Sequence, residues 1–551
     1  MDSQALTTIQ ARGNGSAPPP GGATFASFTL FASLAALLAF VYLVGEWLGL
    51  GGFGFPTDAA WVRAVFARSV SAGHGLCFTS ATPVGGVAAP TWIAALGLSA
   101  LPTGDYVITA KVLGVLAVIL SAVLAWKITL RLLGDWRFAF LAGLLVITSP
   151  LLSEQALSGT EGAFAGLLVL ALIYWWGRGW EGRRGVRVGG AFALGLAALT
   201  RPELILLFPL ALIDRWAVAG LHGRPGERVA GALSRSLPEV LGAVLVIAPY
   251  LAYNLYAGGP LWQQPDLVLR AEPAFSWARG IVLALWGSNP VLLIAAAIGL
   301  FVVCLAPARA RAEDPTFLPA LVPVALLLFP ALLWHYAGST NATYTATALV
   351  PLVSVLGVAG LYLLWRLAHL PAARAGTPNA RTLFVVLFVV LCTLTVAAVF
   401  AIMAPRHRTA WNRHEEDVKQ EYGLQVSLGK RAAQILTADA SIAAREVGAI
   451  GFFSNRRMVD LGGSISMEGI RALRRTGSPD SDLLAYLRET KPSHLAIRPD
   501  DFPDLSRRAD LFQPLVTCVY NDKSSGGTVN LILYETPWPP PSLRALGRER
   551  E

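Results

Sequence analysis

One carboxylate, Asp58, follows the first long apolar run of the sequence and opens an amphipathic segment. The apolar residues of 61–70 recur at i, i+1, i+4 and i+5, with Arg63 and Arg68 on the opposite face, and this pattern is typical of a helix lying in a membrane interface. Asp58 therefore has two interpretations. It is either a first-turn residue behind a Thr57 N-cap, or a general base that takes a proton from a substrate presented at the membrane surface.

A second pair of ionisable residues, Arg201 and Glu203, interrupts the apolar stretch 189–213. A single span here would place both charges near the bilayer centre, at about 3 kcal/mol or more for each. Proline at 202 suits the first turn of a new helix and cannot continue the old one. The sequence therefore predicts two half-spans that meet at residues 200–203, and such breaks usually line a water-filled cavity.

The elements that must position these residues are membrane helices. The chain has 551 residues, 54% of them apolar and 14% charged, and its mean hydropathy is +0.54, whereas an average soluble protein has about 25% charged residues. Apolar runs at 28–48, 281–305 and 383–401 reach the length of about 20 residues that crosses a bilayer. This composition excludes an ordinary cytosolic enzyme and predicts a polytopic α-helical membrane protein.

Basic residues give the orientation of the spans, because Lys and Arg are retained in cytoplasmic loops. Among the loops that join the later spans, one alternating set holds sixteen of them, and the opposite set holds Arg201, Arg270 and Arg279. The N-terminus is therefore predicted to be cytoplasmic, with about eleven crossings and an extracytoplasmic C-terminus. Since most of the net charge of +9 lies in these loops, nucleic acid is not an expected partner.

Composition also divides the chain into three parts. Residues 1–26 are predicted to be a disordered cytoplasmic tail, residues 27–404 the transmembrane domain, and residues 405–551 a soluble extracytoplasmic domain. Within this last part, helical periodicity over 413–437 and helix-like pieces at 467–475 and 480–489 alternate with strand-like pieces, which predicts a small α/β domain. The predicted strands are 449–453, 458–461, 494–497, 515–520 and 528–534, and His407 and His414 are expected on a solvated helix.

Several short motifs recur in an order that resembles a known family. Residues 71–92 read SAGHGLCFTSATPVGGVAAPTW, residues 158–161 read SGTE, residues 196–203 read LAALTRPE, and residues 447–462 read VGAIGFFSNRRMVDLG. Together with Asp58 and Arg68 they resemble the bacterial GT-C glycosyltransferases, integral membrane enzymes that use polyprenyl-phosphate sugars, and in particular the arabinofuranosyltransferase B type. Each motif is weak alone, but the set spans most of the chain.

The resemblance implies a GT-C-like fold and an inverting sugar transfer on the extracytoplasmic face. The donor would be a polyprenyl-phosphate sugar, with D-arabinofuranose the best candidate, and the acceptor a glycan or a protein. Asp58 would be the catalytic base. The chain departs from the family pattern in three places: Thr57-Asp58 replaces two acidic residues, Gly162 replaces a threonine after SGTE, and Tyr344-Thr345-Ala346-Thr347 stands where an Arg-Tyr pair is common.

The resemblance does not identify the residues that bind the donor and the acceptor, so the candidates are selected by the chemistry of their side chains. Arg201 is the first candidate for the donor phosphate, because a guanidinium binds phosphate bidentately and stays charged when desolvated. His74, alternatively a turn residue, and His335, alternatively a member of an interfacial aromatic belt, are the other phosphate candidates. Trp61, Glu161 and Glu203 are candidates for contact with the sugar or acceptor.

The two glutamates keep other interpretations. Glu161 and Glu203 could instead bind a divalent metal ion, and no other cofactor is predicted. Glu203 could also simply pair with Arg201 or cap the half-helix. No nucleotide-binding motif is required, because the expected donor is linked to a lipid.

The alternative function is a transporter or flippase of lipid-linked sugars. Such a protein would be expected to show pseudo-symmetric halves and ionisable residues near the membrane midplane, whereas the charged candidates here gather at outer loops. In either case the expected partners include the lipid bilayer, and the expected location is the inner membrane of a bacterium.

Overall fold

The computed structural model describes residues 21–79, 82–176, 184–222, 228–263, 274–305, 317–332, 342–374, 378–473, 478–522 and 526–540. The helices up to the C-terminal domain are α1 Gly21–Leu50, α2 Asp58–Ser71, α3 Pro90–Ala100, α4 Tyr106–Leu133, α5 Trp136–Ile147, α6 Pro150–Leu157, α7 Gly162–Trp176, α8 Arg184–Thr200, α9 Leu207–His222, α10 Arg228–Tyr256, α11 Ala274–Ser288, α12 Pro290–Leu305, α13 Leu318–Leu332, α14 Ala342–Arg374 and α15 Pro378–Glu421. The C-terminal elements are α16 Ser427–Ile435, β1 Ser441–Ala444, α17 Gly448–Ser454, β2 Arg457–Asp460, α18 Met467–Ala472, α19 Pro479–Thr490, β3 His494–Ile497, α20 Pro503–Ser506, β4 Gln513–Asn521 and β5 Thr528–Glu535.

The chain is a polytopic α-helical membrane protein with a C-terminal domain that contains a β-sheet. Within the described residues, three helices are long and apolar enough to cross a bilayer, namely Phe25–Leu50, Tyr106–Leu133 and Thr345–Leu367, and two bent helix pairs could add one span each. The number of crossings, about eleven by hydropathy, remains a prediction. The first helix begins at Gly21, so the C-terminal end of the predicted tail 1–26 is helical.

The break predicted at residues 200–203 is confirmed. Helix α8 ends at Thr200, Arg201 adopts an extended conformation with φ −146° and ψ 135°, and a 3-10 turn begins at Pro202. Because proline has no N–H and clashes with the preceding turn, α8 cannot continue through it. The extended residue turns the Arg201 side chain into the protein interior, where it is 5% exposed.

The C-terminal domain contains a mixed sheet, and this confirms the predicted α/β class. Within the described residues its strand order is β2-β1-β3-β5-β4, with β1 parallel to both β2 and β3 and β5 antiparallel to both β3 and β4. Four of the predicted strands are present. The fifth, 449–453, is wrong: this apolar run forms α17, since so short a run does not distinguish a strand from a buried helix.

Helix α15 joins the two domains without interruption. It runs from Pro378 to Glu421 and contains Pro405, so the domain boundary predicted between residues 404 and 405 lies inside it. A π-helical turn, Tyr422–Val426, ends the helix. The strand β1, which the sequence analysis does not predict, follows after α16.

An apolar core connects α2 and α3 to the C-terminal domain. Phe55, Trp61 and Trp92 from the segments after α1 share this cluster with residues of α17, β1 and β5, such as Ile450 and Leu533. Residues 60–67 of α2 are all buried. Helix α2 is thus enclosed by protein on several sides, and the surfaces it presents determine the candidate site.

Candidate active site

Asp58 lies where α2 meets the C-terminal domain. Its Oδ1 accepts hydrogen bonds from the backbone N–H of Gly448 at 2.6 Å and of Ala449 at 3.4 Å, and the residue remains partly exposed. The predicted N-cap interaction is not formed, because the Thr57 side chain makes no capping hydrogen bond. A side chain at Gly448 would collide with the Asp58 backbone, so only glycine permits this approach.

The surroundings of Asp58 favour the protonated form of its carboxyl group and bring its pKa close to neutral pH. Burial and the negative charge of Glu446 raise the pKa of Asp58 to about 8, and the two backbone hydrogen bonds act in the opposite direction. A carboxyl group whose pKa lies near the working pH is suited to proton transfer. Asp58 can therefore exchange a proton with a hydroxyl group that reaches its exposed side.

Two further carboxylates of the C-terminal domain lie near Asp58 and are not among the predicted site residues. Glu446 accepts 2.9 Å hydrogen bonds from Arg498 Nη2 at both of its oxygens. Glu421, at the end of α15, is 7% exposed; burial together with the charges of Asp58 and Glu446 raises its pKa well above the usual range. The only sequence signal for Glu446 is its position one residue before the motif that begins at Val447.

The opposite side of α2 carries a network of buried charges. Arg63 Nε donates to Glu161 Oε2 at 2.8 Å, and Arg201 Nη1 donates to Glu161 Oε1 at 3.3 Å. Arg201 Nε donates to Glu203 Oε1 at 2.6 Å, and the Thr345 hydroxyl bonds to the same two residues, at 3.2 Å from Arg201 Nη2 and 2.7 Å from Glu203 Oε1. Two guanidinium groups and two carboxylates thus share one site.

This network corrects the predicted placement of Arg63. The amphipathic pattern places Arg63 on the polar face of an interfacial helix, whereas the side chain is 4% exposed and paired with Glu161. The sequence pattern cannot distinguish these two placements. An arginine that is exposed to water and one that is buried beside a carboxylate both interrupt the apolar pattern in the same way. Helix α2 therefore presents Asp58 to the C-terminal domain and Arg63 to the charge network.

The other predicted site residues have different surroundings from Asp58 and the charge network. His74 is exposed in a turn between Gly73 and Gly75, whose φ angles are +80° and +73°. Trp61 is 2% exposed, and its ring packs against three phenylalanines at centroid distances of 4.8 to 5.2 Å: Phe55, Phe452 and Phe453. His335 lies outside the described residues.

A third polar cluster ties α1, α4 and α15 together. Lys111 Nζ donates to Glu46 Oε1 at 2.7 Å, and His414 Nε2 lies 2.6 Å from the same oxygen. The expectation of a solvated helix is wrong for His414, which is 1% exposed. An ionisable residue inside an apolar span, such as Lys111, is the signal that could have revealed this cluster. Among the described residues, no group of three or more His, Cys, Asp or Glu is placed to hold a metal ion.

Comparisons with known proteins concern first the C-terminal part of the chain. Residues 413–531 match the family model described as a domain of unknown function, DUF8728. No match is found among curated protein sequences. The matched segment includes Glu421, Glu446, Gly448 and Arg498, the residues gathered around Asp58.

Solved structures resemble nearly the whole chain. ArnT from Cupriavidus metallidurans bound to undecaprenyl phosphate matches with a TM-score of 0.57 and 17% identity, over 93% of this chain and 99% of that one. The oligosaccharyltransferase of Archaeoglobus fulgidus, tethered to an acceptor peptide containing the NVT sequon, matches with a TM-score of 0.57 and 10% identity, over 93% of this chain and 74% of that one. This chain therefore has the fold of the GT-C membrane glycosyltransferases.

Proposed function

We propose that this protein is a GT-C glycosyltransferase that moves a sugar from a polyprenyl phosphate to an acceptor hydroxyl group on the extracytoplasmic face. The shared fold supports this proposal over 93% of the chain. One structure with that fold contains undecaprenyl phosphate, and another contains an acceptor peptide. A polyprenyl-phosphate donor and a glycan or protein acceptor are the corresponding partners here.

The observation that carries the proposal is the environment of Asp58, a partly exposed carboxyl group whose pKa is about 8. In the proposed reaction, the acceptor O–H gives its proton to the Asp58 carboxylate while the acceptor oxygen attacks the anomeric carbon. The bond from that carbon to the phosphate oxygen breaks, and the polyprenyl phosphate leaves with the bonding electron pair. Attack from the face opposite the phosphate inverts the anomeric configuration.

The leaving phosphate needs positive charge, and the proposed source is Arg201 with its neighbour Arg63. Both guanidinium groups bond to Glu161 in this structure. Two oxygens of a phosphate can accept hydrogen bonds from one guanidinium as the two oxygens of a carboxylate do, so the same kind of donor suits the departing phosphate. His74 and His335 remain the other candidates, and Trp61, Glu161 and Glu203 remain candidates for the sugar or acceptor.

The finer assignments come from the sequence motifs. The resemblance to the arabinofuranosyltransferase B type favours D-arabinofuranose as the sugar, and the distribution of basic loop residues favours an N-terminus in the cytoplasm of a bacterium. Both are part of the proposal.

The decisive experiment is a transfer assay with purified protein and a panel of polyprenyl-phosphate sugars that includes arabinofuranose, followed by analysis of the product linkage. We expect one donor to be consumed, with a new glycosidic bond of inverted configuration. The same protein in vesicles tests the alternative function. Movement of the labelled donor across the bilayer, without bond formation under any condition, would favour a transporter instead.

A further inference from the structure

The loop that leads into α17 brings a charged side chain to Asp58 together with the backbone groups that bind it. Glu446 stands two residues before Gly448, whose N–H donates to Asp58 Oδ1 at 2.6 Å. The carbon that a side chain at Gly448 would add lies 2.7 Å from the Val62 backbone nitrogen and 2.8 Å from Asp58 Oδ1. The backbone of the loop therefore packs directly against α2, and no room remains for a side chain at residue 448.

Glu446 is held in place by other parts of the C-terminal domain. Arg498, directly after β3, donates to both Glu446 oxygens at 2.9 Å, and the side-chain amide of Gln425 in the π-helical turn donates to Glu446 Oε2. The side chains of Arg498 and Glu446 are 27% and 33% exposed, so water reaches the pair. Glu446 thus provides a fixed negative charge with a fixed counter-ion.

The charged groups that act on Asp58 come from several elements. Glu421 at the end of α15, Glu446 before α17 and Asp460 at the end of β2 act on it from the side of the C-terminal domain. Arg498 after β3 bonds to Glu446. The burial of Glu421 favours its neutral form, and the Asp460 carboxylate accepts hydrogen bonds from four backbone N–H groups of the loop 462–466. Glu446 is the charged neighbour with the largest effect on the pKa of Asp58, and its ion pair with Arg498 can be changed by substitution at either residue.

We propose that Glu446 is a positioning residue that acts through Asp58, because its negative charge makes the Asp58 carboxylate a stronger proton acceptor. The positive charge of Arg498 weakens this effect. The C-terminal domain thereby completes the active site without contacting the reacting atoms. The inference deepens the proposed function, since it takes Asp58 to be the base. A negative charge beside Asp58 favours its protonated form and makes its carboxylate a stronger proton acceptor.

A purely structural ion pair between Glu446 and Arg498 would have a different signature. Loss of either partner of such a pair would weaken the domain in the same direction. The proposal instead requires opposite effects on Asp58: removal of the Glu446 charge lowers its pKa, and removal of the Arg498 charge raises it. The sign of the shift, rather than loss of activity, separates the two roles.

The experiment compares Glu446→Gln and Arg498→Gln with the wild type and with a matched control, Asp501→Asn. Asp501 pairs with Arg445 at 3.2 Å in the same part of the domain, so its substitution also breaks an ion pair next to Glu446. Asp58 is followed by infrared difference spectra over pH, in which its protonated carboxyl band is identified by its absence in Asp58→Asn. The pH profile of transfer is the second readout.

We expect the Asp58 midpoint to fall by about one pH unit in Glu446→Gln, to rise by a similar amount in Arg498→Gln, and to stay unchanged in Asp501→Asn. Glutamine at 446 can still accept from Arg498, so this variant should fold and is sufficient alone. An unchanged midpoint in Glu446→Gln, or an upward shift, overturns the inference. Absence of transfer in the wild type, with the infrared shifts present, overturns only the proposed function.

Discussion

The Oδ1 atom of Asp58 accepts a 2.6 Å hydrogen bond from the backbone N–H of Gly448, 390 residues later in the chain. This contact joins the start of the first helix after α1 to the C-terminal domain. It orients the Asp58 carboxylate from one side and leaves the other side partly exposed. The position of the proposed base therefore depends on how the C-terminal domain packs against α2.

The first prediction concerns Asp58→Asn, which should abolish most transfer without unfolding the protein. The asparagine oxygen can still accept from Gly448, whereas loss of a positioned general base typically costs about 10²- to 10⁴-fold in rate. Donor affinity should persist. The measurements are transfer rate, donor affinity and melting temperature, with Asp105→Asn as the control, because Asp105 is an exposed N-cap that asparagine can replace. A stable Asp58→Asn protein with nearly wild-type transfer would exclude Asp58 as the base.

The second prediction is a pH dependence. A base with a pKa of about 8 must lose its proton to act, so kcat/KM should rise with pH and level off above about 8. Stability should change in the opposite direction: because the pKa of Asp58 is raised on folding, its contribution is complete below about pH 4 and is lost as pH rises through about 8. Rate profiles and melting temperatures measured from pH 5 to 9.5 on the wild type and Asp58→Asn test both parts. A flat rate profile across pH 8 would contradict the assignment.

The third prediction tests the approach of α17 to α2. Gly448→Ala should reduce transfer strongly, because the added carbon meets the Asp58 backbone and the Val62 nitrogen at 2.7 Å. The control is Gly451→Ala on the same helix, where the nearest atoms, at 3.0 to 3.3 Å, belong to side chains that can move. Donor affinity should be unchanged in both variants. Equal transfer by the two proteins would show that the close contact has no catalytic consequence.

The fourth prediction concerns Arg201. Lysine keeps the positive charge but loses the planar fork, so transfer and donor affinity should fall in Arg201→Lys and fall further in Arg201→Ala. The alanine variant should also lose about 3–5 kcal/mol of stability, because Glu161 and Glu203 would be buried without this partner. Arg508→Lys, at an exposed ion pair with Asp510, is the control. If Arg201→Lys remains stable and transfers at the wild-type rate, the phosphate binds elsewhere and His74 or His335 becomes the better candidate.

The fifth prediction concerns topology and follows from the asymmetry of basic loop residues. In a background without cysteine, single cysteines at the exposed positions Thr103 and Ala509 should react with an impermeant thiol reagent in cells whose outer membrane is permeabilised. A cysteine at the exposed position Trp136 should react only after lysis. Labelling of Trp136→Cys in intact cells would reverse the orientation and move the candidate site to the cytoplasmic side.

Local patterns were sufficient for much of the architecture. Runs of about 20 apolar residues identify membrane helices because the bilayer sets their length, and proline at 202 ends α8 because a missing N–H and a steric clash act within one turn. Alternating patterns gave four strands of the C-terminal domain. For Asp58, local spacing left two interpretations open, a first-turn residue or a base, and the resemblance of motifs spread along the chain favoured the base.

The tertiary structure decided what these residues contact. Residues 449–453 have a strand-like composition but form α17, because the run is buried against α2 on one side and within its own domain on the other. His414 and Arg63 lie on polar stripes that suggest exposure, yet each is buried beside a carboxylate from a distant segment, Glu46 and Glu161 respectively. A polar stripe shows only that one face of a helix is not apolar. It does not show whether the polar side chains on that face contact water or a residue of opposite charge.

The sequence by itself determined the membrane class and the break at Arg201, since each depends on hydrophobicity or backbone geometry over a short stretch of chain. The choice of Asp58 as the proposed base also came from the sequence, through motifs that lie along most of the chain. Only the folded chain brought Glu446 and Gly448 to Asp58 and placed Glu161 between Arg63 and Arg201. These contacts join residues separated by 40 to 390 positions. Their energies depend on distance and burial in three dimensions, and neither quantity is set by local spacing.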